Sequence, residues 1–323
     1  MIDATVLFLA FTDQREWGMS GKWGINLNCT TDLDDNWYGP FCQVFSRVLR
    51  YDIFRGANTG GICRANREII AMAEAYKPKY VVYPCTFSGI VTRETLGHLR
   101  KIGCLVVAYF FDDDVYFDKF TRWILPYVDY AVTGAPARLA DYEKTGARYF
   151  LQLPFYLNPS IYQRMEHTEK LYDVTFVGDA YGIRQKWMAE IRNHGIDIRS
   201  FGGSGPDKKL HYGEMVRVFN QSRINLNFTG GALSPLPVLK GRMFEVLMSG
   251  GFLLTEWSPY LEDYVALGEE GDSFKTVDEA VGKIKYYLGH AAEREAMANR
   301  GYERAMGQFA AQRWVTKIFL EIE

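Results

Sequence analysis

A segment in the second half of the chain combines basic residues and a carboxylate at spacings that suit an anionic ligand. Residues 239–256 read LKGRMFEVLMSGGFLLTE, which predicts a short helix over Gly241–Met248 followed by a buried strand. Lys240 and Arg242 stand at the start of that helix, where free N–H groups also attract anions. Glu245 follows about one turn later, where its carboxylate can accept hydrogen bonds from both hydroxyls of a ribose. These residue types together favour a nucleoside diphosphate as the ligand.

A purely structural interpretation of the same residues stays open at this point. Glu245 can serve only to complement the helix dipole. The pair Gly250-Gly251 can serve only to end the helix and turn the chain into the strand.

Two further loops of the second half have features of a phosphate or base site. A predicted strand ends at Gly178, and Arg184 follows at the start of a helix, which is another place to hold phosphate. The next strand ends in the glycine loop 202–205, beginning with Gly202, which a flat base can approach closely. Tyr181 or Phe201 can stack on such a base, although packing within the protein is the alternative for each.

The elements that position these residues alternate between apolar runs and helical stretches. The predicted strands are Val6–Phe11, Tyr80–Tyr83, Leu105–Phe111, Tyr130–Thr133 and Tyr149–Leu153, then Val174–Val177, Asp197–Phe201, Ile224–Phe228 and Phe252–Glu256. Continuous apolar strands separated by helices predict parallel sheets covered on both faces. Residues 154–170 interrupt this alternation and predict a linker. The expected fold is α/β, with two Rossmann-like domains facing across a cleft that holds the ligand at the carboxyl ends of the strands.

Composition and missing motifs exclude several classes of function. The chain has 323 residues, a formal net charge of −2 and five widely spaced cysteines. Near-neutral charge argues against a duplex nucleic acid partner, and the cysteines indicate reduced thiols and a cytoplasmic location. We expect no signal peptide and no transmembrane segment. The absence of G-x-G-x-x-G after the first strand, of a P-loop, of G-x-S-x-G and of H-E-x-x-H argues against the corresponding enzymes. No metal site is expected.

Residues 172–309 resemble the C-terminal domain of the GT-B glycosyltransferases, most closely the CgeB-like (spore-maturation type) group related to glycosyltransferase family 4. The resemblance is carried by Phe176-Val177-Gly178 with Arg184, by Phe201-Gly202, by Ile224–Asn227, by Lys240 and Arg242 with Phe244-Glu245, and by Gly250–Thr255. The first half of the chain matches only in its alternation of strands and helices.

The resemblance implies a glycosyltransferase that takes a sugar from a nucleoside-diphosphate donor, with a UDP-sugar as the expected donor, no cofactor and no metal. Residues 1–160 would form the acceptor-side domain, 171–311 the nucleotide-sugar-binding domain, and 312–323 a helix crossing back to the first domain. Glu245 would hold the ribose, and Arg184, Lys240 or Arg242 would neutralise the diphosphate. Gly178, Gly202 and Gly250 complete the implied donor site. The acceptor, whether a glycan, a protein or a small molecule, is not identified by any residue.

One position departs from the family pattern. Family 4 enzymes often carry a second glutamate eight residues before the first, and that position here is Pro237. The residue that would contact the donor sugar is therefore not identified. Two alternatives stay open: a sugar-nucleotide epimerase of the same fold, or a non-catalytic nucleotide-binding member.

An acidic run follows the most apolar strand of the first half. Asp112 or Asp113 can orient or deprotonate an acceptor hydroxyl as a general base. The equally weighted alternative is that one carboxylate of Asp112–Asp114 caps the following helix. A metal-binding D-x-D of a GT-A enzyme is disfavoured, because such folds have one domain. The aromatic loop Trp17–Trp37 is expected either to close over the ligand or to pack on itself.

Overall fold

The chain divides into two compact units, Met1–Asn158 with Ala311–Glu323 (unit 1) and Pro159–Ala310 (unit 2). The computed structural model describes residues 1–11, 32–85, 89–153, 157–202, 210–229, 236 and 238–322, and for residues 32–35 the backbone alone. Among the helices of these residues, none has the length and hydropathy needed to cross a membrane.

Unit 1 contains a parallel sheet that, over the described residues, has the strand order β2-β1-β3-β4-β5-β6. The strands are β1 (Ile2–Ala10), β2 (Phe45–Asp52), β3 (Tyr80–Cys85), β4 (Leu105–Phe110), β5 (Tyr130–Thr133) and β6 (Tyr149–Leu151). The chain leaves β1 toward β2 on one side and then crosses to β3 on the other side. The topological switch point, where ligands bind in such sheets, is therefore between β1 and β3.

The helices of unit 1 cover both faces of its sheet. They are α1 (Asp32–Val44), α2 (Ile53–Tyr76, interrupted at Gly61), α3 (Arg93–Lys101), α4 (Asp113–Tyr116), α5 (Arg122–Ile124) and α6 (Leu139–Thr145). Side chains alternate along β1, so that Leu7 and Leu9 enter the core on one face. Val6 and Phe8 enter the core on the other face. This two-sided burial explains the continuous apolar run that predicts the strand.

Unit 2 repeats the pattern with a sheet of order β11-β10-β9-β7-β8, again parallel throughout the described residues. Its strands are β7 (Tyr172–Val177), β8 (Ile198–Phe201), β9 (Ser222–Asn227), β10 (Leu253–Glu256) and β11 (Asp272–Phe274). Its helices are α7 (Ile183–Asn193), α8 (Tyr212–Gln221), α9 (Gly241–Met248), α10 (Val277–Gly289) and α11 (Ala291–Gln308). The switch point of this sheet is between β7 and β9.

The segment before β7 is packed into unit 2 and does not behave as a free linker. The amide of Asn220 accepts a hydrogen bond from Met165 N at 2.8 Å and donates one to Gln163 O at 3.1 Å. The ammonium of Lys170 donates to Asn220 O at 3.0 Å and to Ser222 O at 3.2 Å. Residues 163–170 of the predicted linker are therefore tied by polar side chains to α8 and β9.

The C-terminal helix α12 (Ala311–Glu321) belongs to unit 1 and completes its core. The ring of Phe319 lies 4.9 Å from that of Tyr80, 5.0 Å from that of Phe45 and 5.7 Å from that of Phe41, between centroids. Each contact is close to edge-on, which is a favoured aromatic geometry. The last apolar stripe of the sequence thus covers one face of the unit 1 sheet.

Candidate functional site

The carboxyl edge of the unit 2 sheet holds a buried arginine at its switch point. Arg184 is the second residue of α7, and its side chain turns back to the ends of the two central strands. Its guanidinium donates to Asp179 O beyond β7 and to Phe228 O beyond β9, both at 3.3 Å. The sequence predicts this residue as a phosphate ligand, and the structure places its charge where such sheets bind ligands.

The surroundings of Arg184 leave it a poorly hydrated cation. The residue is only 7% exposed. Its guanidinium carbon lies 4.4 Å from the centroid of the Tyr181 ring. Burial lowers the pKa of Arg184, and the nearby Tyr181, Glu256 and Asp179 partly oppose that shift. Because an arginine stays charged even so, it offers a strong attraction to an anion. The ring of Tyr181, predicted to stack on a base, contacts this guanidinium.

Two predicted glycines bring the loops after β7 and β8 into direct contact. Gly178 N donates to Phe201 O at 2.8 Å. Gly202 has a φ of +91°, and a Cβ there would lie 3.3 Å from Gly178 N and from Gly178 O. Gly202 therefore needs to be a residue without a side chain. The rest of the glycine loop 202–205 lies outside the described residues, as do residues 206–209 and Pro237.

The start of α9 lies at the same edge, because the helix follows β9 and runs back against the sheet direction. Lys240 occupies the N-cap position, and its carbonyl oxygen accepts a hydrogen bond from Met243 N at 3.1 Å. Within the part of the chain that the structure describes, the Lys240 ammonium forms no ion pair. It is thus available, together with the first N–H groups of α9, to meet an anion.

The buried carboxylate of Glu245 contacts the partly exposed Arg242 and a buried tyrosine that the sequence does not predict for this site. Glu245 is 4% exposed. Its Oε2 accepts a hydrogen bond from Arg242 Nη1, which also contacts the sulfur of Met215. Its Oε1 accepts a hydrogen bond from the hydroxyl of Tyr162 at 3.3 Å. The Arg242 guanidinium, predicted as a diphosphate ligand, is therefore engaged by Glu245. Tyr162 precedes Glu245 by 83 positions, and no local pattern connects them.

Gly250 is not brought to this edge. Helix α9 spans eight residues, which is about 12 Å of rise, so its end lies toward the opposite edge of the sheet from its start. Gly250 has a φ of +74° and ends the helix, with its N–H donating to Leu247 O. A Cβ there would lie 2.8 Å from Cγ of Arg164. These features explain Gly250 as the residue that ends the helix, and its contact with a nucleotide stays a prediction.

Asp113 is enclosed in the core of unit 1. It is 1% exposed. One carboxylate oxygen accepts a hydrogen bond from the hydroxyl of Thr121 at 2.5 Å. The other accepts hydrogen bonds from the hydroxyls of Thr133 at 2.7 Å and Tyr142 at 2.6 Å. These contacts give Asp113 a structural role in unit 1, and its role as a general base stays a prediction. Its carboxylate joins α4, β5 and α6 through buried hydrogen bonds.

Asp112 has a different environment from its neighbour. It is exposed, and its backbone adopts a left-handed conformation with φ of +47°. Its carbonyl oxygen accepts hydrogen bonds from Val115 N and Tyr116 N, but its side chain forms no capping hydrogen bond with α4. The capping interpretation therefore does not hold for this carboxylate. Asp112 follows β4, whereas the switch point of unit 1 is between β1 and β3. Residues 12–31 and 86–88, which follow those two strands, lie outside the described residues.

The last residue of the predicted aromatic loop is a core residue. Trp37 lies within α1 and is 3% exposed. Its ring meets those of Tyr109 and Phe111 edge-on, at 5.2 and 5.1 Å between centroids. The rest of Trp17–Trp37 falls largely outside the described residues. Among the residues that are described, no group of three His, Cys, Asp or Glu side chains is arranged to hold a metal ion.

The burial of Asp113 predicts a pH dependence of stability. Desolvation raises the pKa of Asp113, and hydrogen bonds from Thr121, Tyr142 and Thr133 oppose the shift only in part. The folded state thus keeps a proton that the unfolded state releases at about pH 4. The bound proton stabilises the folded state. This stabilisation is fully present below about pH 4 and is lost as the pH rises through the folded-state pKa of Asp113. We expect urea denaturation to show Asp113→Asn gaining stability relative to wild type between about pH 4 and pH 7.

Asp141, also in unit 1, provides a control in which the pH dependence of stability has the opposite sign. The pKa of Asp141 is lowered, chiefly by its hydrogen bond from Arg138. Asp141→Asn should therefore lose stability relative to wild type as the pH rises from the lowered folded-state pKa toward about pH 4, and the difference should stay level at higher pH. A flat or falling difference for Asp113→Asn would contradict the prediction.

Comparison with known proteins identifies the type of fold and a related family. Residues 184–319, about two fifths of the chain, match the family model described as "Glycosyl transferase-like". No curated protein sequence matches the chain. The segment that matches begins at Arg184 and includes Lys240, Arg242 and Glu245.

Several solved structures share the fold across the whole chain. Sucrose-phosphate synthase from Thermosynechococcus elongatus superposes with a TM-score of 0.65 at 9% identity, covering 99% of each chain. A glycosyltransferase from Rickettsia africae has a TM-score of 0.64 at 9% identity, covering 100% of this chain and 99% of its own. Anabaena HepE in complex with UDP-glucose has a TM-score of 0.58 at 9% identity, covering 98% of each chain. The predicted fold class is confirmed: the chain has the two Rossmann-like domains of the GT-B glycosyltransferases, and residues 184–319 are similar in sequence to a glycosyl transferase-like family.

Proposed function

We propose that the chain is a glycosyltransferase that uses a nucleotide-sugar donor, a UDP-sugar above all, and that the donor binds at the carboxyl edge of the unit 2 sheet. The observation that carries the proposal is the buried Arg184 at the β7–β9 switch point, at the start of the segment that matches the family model. The structure of Anabaena HepE with UDP-glucose supports the donor class, since that protein shares this fold. The CgeB-like subgroup is part of the same proposal, as is a cytoplasmic location.

Transfer of a sugar from such a donor requires this edge of the sheet to stabilise a leaving diphosphate. In the transfer, the bond between the sugar's anomeric carbon and the phosphate oxygen breaks, and the nucleoside diphosphate leaves with the electron pair. An acceptor hydroxyl oxygen forms the new bond, and its proton passes to the departing diphosphate or to water. Arg184, Lys240 and the N–H groups that begin α7 and α9 would stabilise the charge that grows on the diphosphate. These fixed charges support a reaction that needs no metal.

Glu245 is assigned to the ribose of the donor. Its carboxylate lies about one turn into α9, so that a diphosphate at the start of the helix would bring the attached ribose toward it. An ionised carboxylate accepts hydrogen bonds only, which suits two neighbouring hydroxyl donors.

Calorimetry with UDP, GDP, ADP and TDP tests the donor site. We expect UDP to bind best to the wild-type chain and Glu245→Ala to weaken that binding about tenfold to a hundredfold, because hydrogen bonds to a charged group are lost. Glu190→Ala, which removes an exposed carboxylate from α7, is the matched control and should bind as wild type does. The proposal is wrong if no nucleotide binds or if Glu245→Ala binds UDP unchanged.

Incubation with a UDP-sugar alone separates transfer from isomerisation. A transferase without its acceptor should slowly release UDP and free sugar, because water replaces the acceptor. An epimerised nucleotide sugar would assign the site to an isomerase, and binding without any turnover would assign it to a non-catalytic protein.

A further inference from the structure

The Glu245 carboxylate is held by residues from two different parts of unit 2. We propose that Arg242 and Tyr162 are positioning residues, which aim this carboxylate at the two ribose hydroxyls and thereby set the selectivity for ribonucleotides over dideoxyribonucleotides. This inference rests on the proposed function. It assigns Arg242 a role different from the diphosphate contact that the sequence predicts, and it adds a residue outside the segment 184–319.

Each of the two carboxylate oxygens of Glu245 accepts one hydrogen bond. Arg242 donates to Oε2 and Tyr162 donates to Oε1, and no other described side chain donates to Glu245. An ionised carboxylate has about four acceptor positions, two on each oxygen. One position thus remains on each oxygen, which is what two neighbouring hydroxyls require. With both oxygens held, the carboxylate does not have to reorient when the ribose arrives.

Arg242 contacts apolar side chains as well as Glu245, although 28% of its side chain is exposed. Its guanidinium contacts the sulfur of Met215 and lies 5.7 Å from the centroid of the Phe219 ring, both on α8. Arg242 and Glu245 are three positions apart on α9, which is a spacing that brings side chains together on a helix. Because Glu245 is buried, its charge needs this partner, and loss of the guanidinium would leave a buried carboxylate uncompensated.

Tyr162 supplies the second contact from a fixed position. It is fully buried, at 0% exposure, and its ring meets that of Tyr212 edge-on at 5.9 Å between centroids. Tyr212 is the first residue of α8, at the carboxyl edge of the sheet. The hydroxyl lies 3.3 Å from Glu245 Oε1, which is long for a hydrogen bond. Such bonds commonly shorten when a ligand completes the site.

The test measures two dissociation constants for each variant by calorimetry. The probes are whichever of UDP, GDP and ADP binds the wild-type chain best, and the 2′,3′-dideoxy analogue of that nucleotide. Tyr162→Phe should weaken the ribonucleotide about threefold to tenfold, the effect of one hydrogen bond. It should leave the dideoxy analogue within about twofold of wild type, since the analogue does not use Glu245. A purely structural role would weaken both nucleotides together.

Tyr287→Phe is the matched control. Its hydroxyl also donates to a buried carboxylate, that of Asp272, at 2.8 Å. Asp272 is the first residue of β11, at the amino end of the strand and away from the candidate site. Tyr287→Phe should therefore alter thermal stability without changing either dissociation constant.

Two Arg242 variants separate positioning from direct diphosphate contact. Arg242→Gln should weaken the ribonucleotide more than tenfold and the dideoxy analogue little, and Arg242→Lys should recover part of the loss. If Arg242→Gln weakens both nucleotides equally, Arg242 binds the diphosphate and the inference is wrong for it. If Tyr162→Phe changes both nucleotides equally or neither, the inference is wrong for Tyr162 while the donor site stands. A wild-type chain that binds no nucleotide would overturn the proposed function and this inference with it.

Discussion

Replacing Arg184 with glutamine is expected to weaken the binding of UDP about a hundredfold and to leave the binding of uridine unchanged. The guanidinium is buried between the ends of β7 and β9, so it pays little additional desolvation when a diphosphate arrives. Glutamine retains a hydrogen-bond donor but loses the charge, and a charged contact in a poorly hydrated site is worth more than one in water. Calorimetry with UDP, UMP and uridine would show a loss that grows with the number of phosphates.

The same helix provides a matched control for Arg184→Gln. Arg192 lies in the last turn of α7, where its guanidinium donates to Ile198 O at 2.8 Å and to the Ser200 hydroxyl at 3.0 Å. Arg192→Gln should bind UDP as wild type does, because that end of the helix lies away from the carboxyl edge. Equal losses for UDP and uridine in Arg184→Gln would instead mean that the residue only supports the fold of the site.

Replacing Asp113 with alanine is expected to lower the free energy of unfolding by about 3–5 kcal/mol. Three hydroxyl groups, those of Thr121, Thr133 and Tyr142, donate to this one carboxylate inside unit 1. Alanine would leave all three without their acceptor and would open a small cavity. Urea denaturation at pH 7, followed by circular dichroism, measures the change.

Two variants show whether the buried network causes this loss. Asp113→Asn keeps the volume and one acceptor oxygen, and the hydroxyls can rotate to accept from its amide, so its loss should be clearly smaller. Asp141→Ala removes a partly exposed ion pair with Arg138 and should cost less than about 1 kcal/mol. A loss below about 1 kcal/mol for Asp113→Ala would contradict the prediction.

The sequence is a good guide to the central strands and a poor guide to the edges of the sheets. The central strands β3 and β4 are buried on both faces, and their apolar runs predict them to within two residues at each end. Strand β2 at one edge of unit 1 exposes Ser46, Arg47 and Arg50, so no continuous apolar run marks it. Strand β11 at an edge of unit 2 has three residues, Asp272–Phe274, and is too short for a period to appear. Edge strands pack against less of the protein, and their composition is correspondingly less restricted.

In the candidate site, too, some relations between residues follow from local sequence and others from the tertiary structure. Local sequence alone brings Lys240 to the N-cap of α9 and Arg242 within reach of Glu245, because helix geometry determines these relations. The helix also carries Gly250 toward the other edge, a consequence of direction that spacing along the chain does not show. Topology then decides which strand ends are neighbours, and it places Arg184 between β7 and β9.

The sequence by itself determined the α/β class, the helix that carries Glu245 and the basic residues near its start. Only the tertiary structure decided which charged groups are enclosed and by what. Asp112 and Asp113 are adjacent in sequence, yet one is exposed and the other accepts hydrogen bonds from residues up to 29 positions away. Glu245 acquires a partner, Tyr162, from 83 positions earlier. Periodicity and helix geometry are local properties of a chain, whereas burial depends on which distant segments pack over a residue, and that is settled only when the sheets and helices assemble.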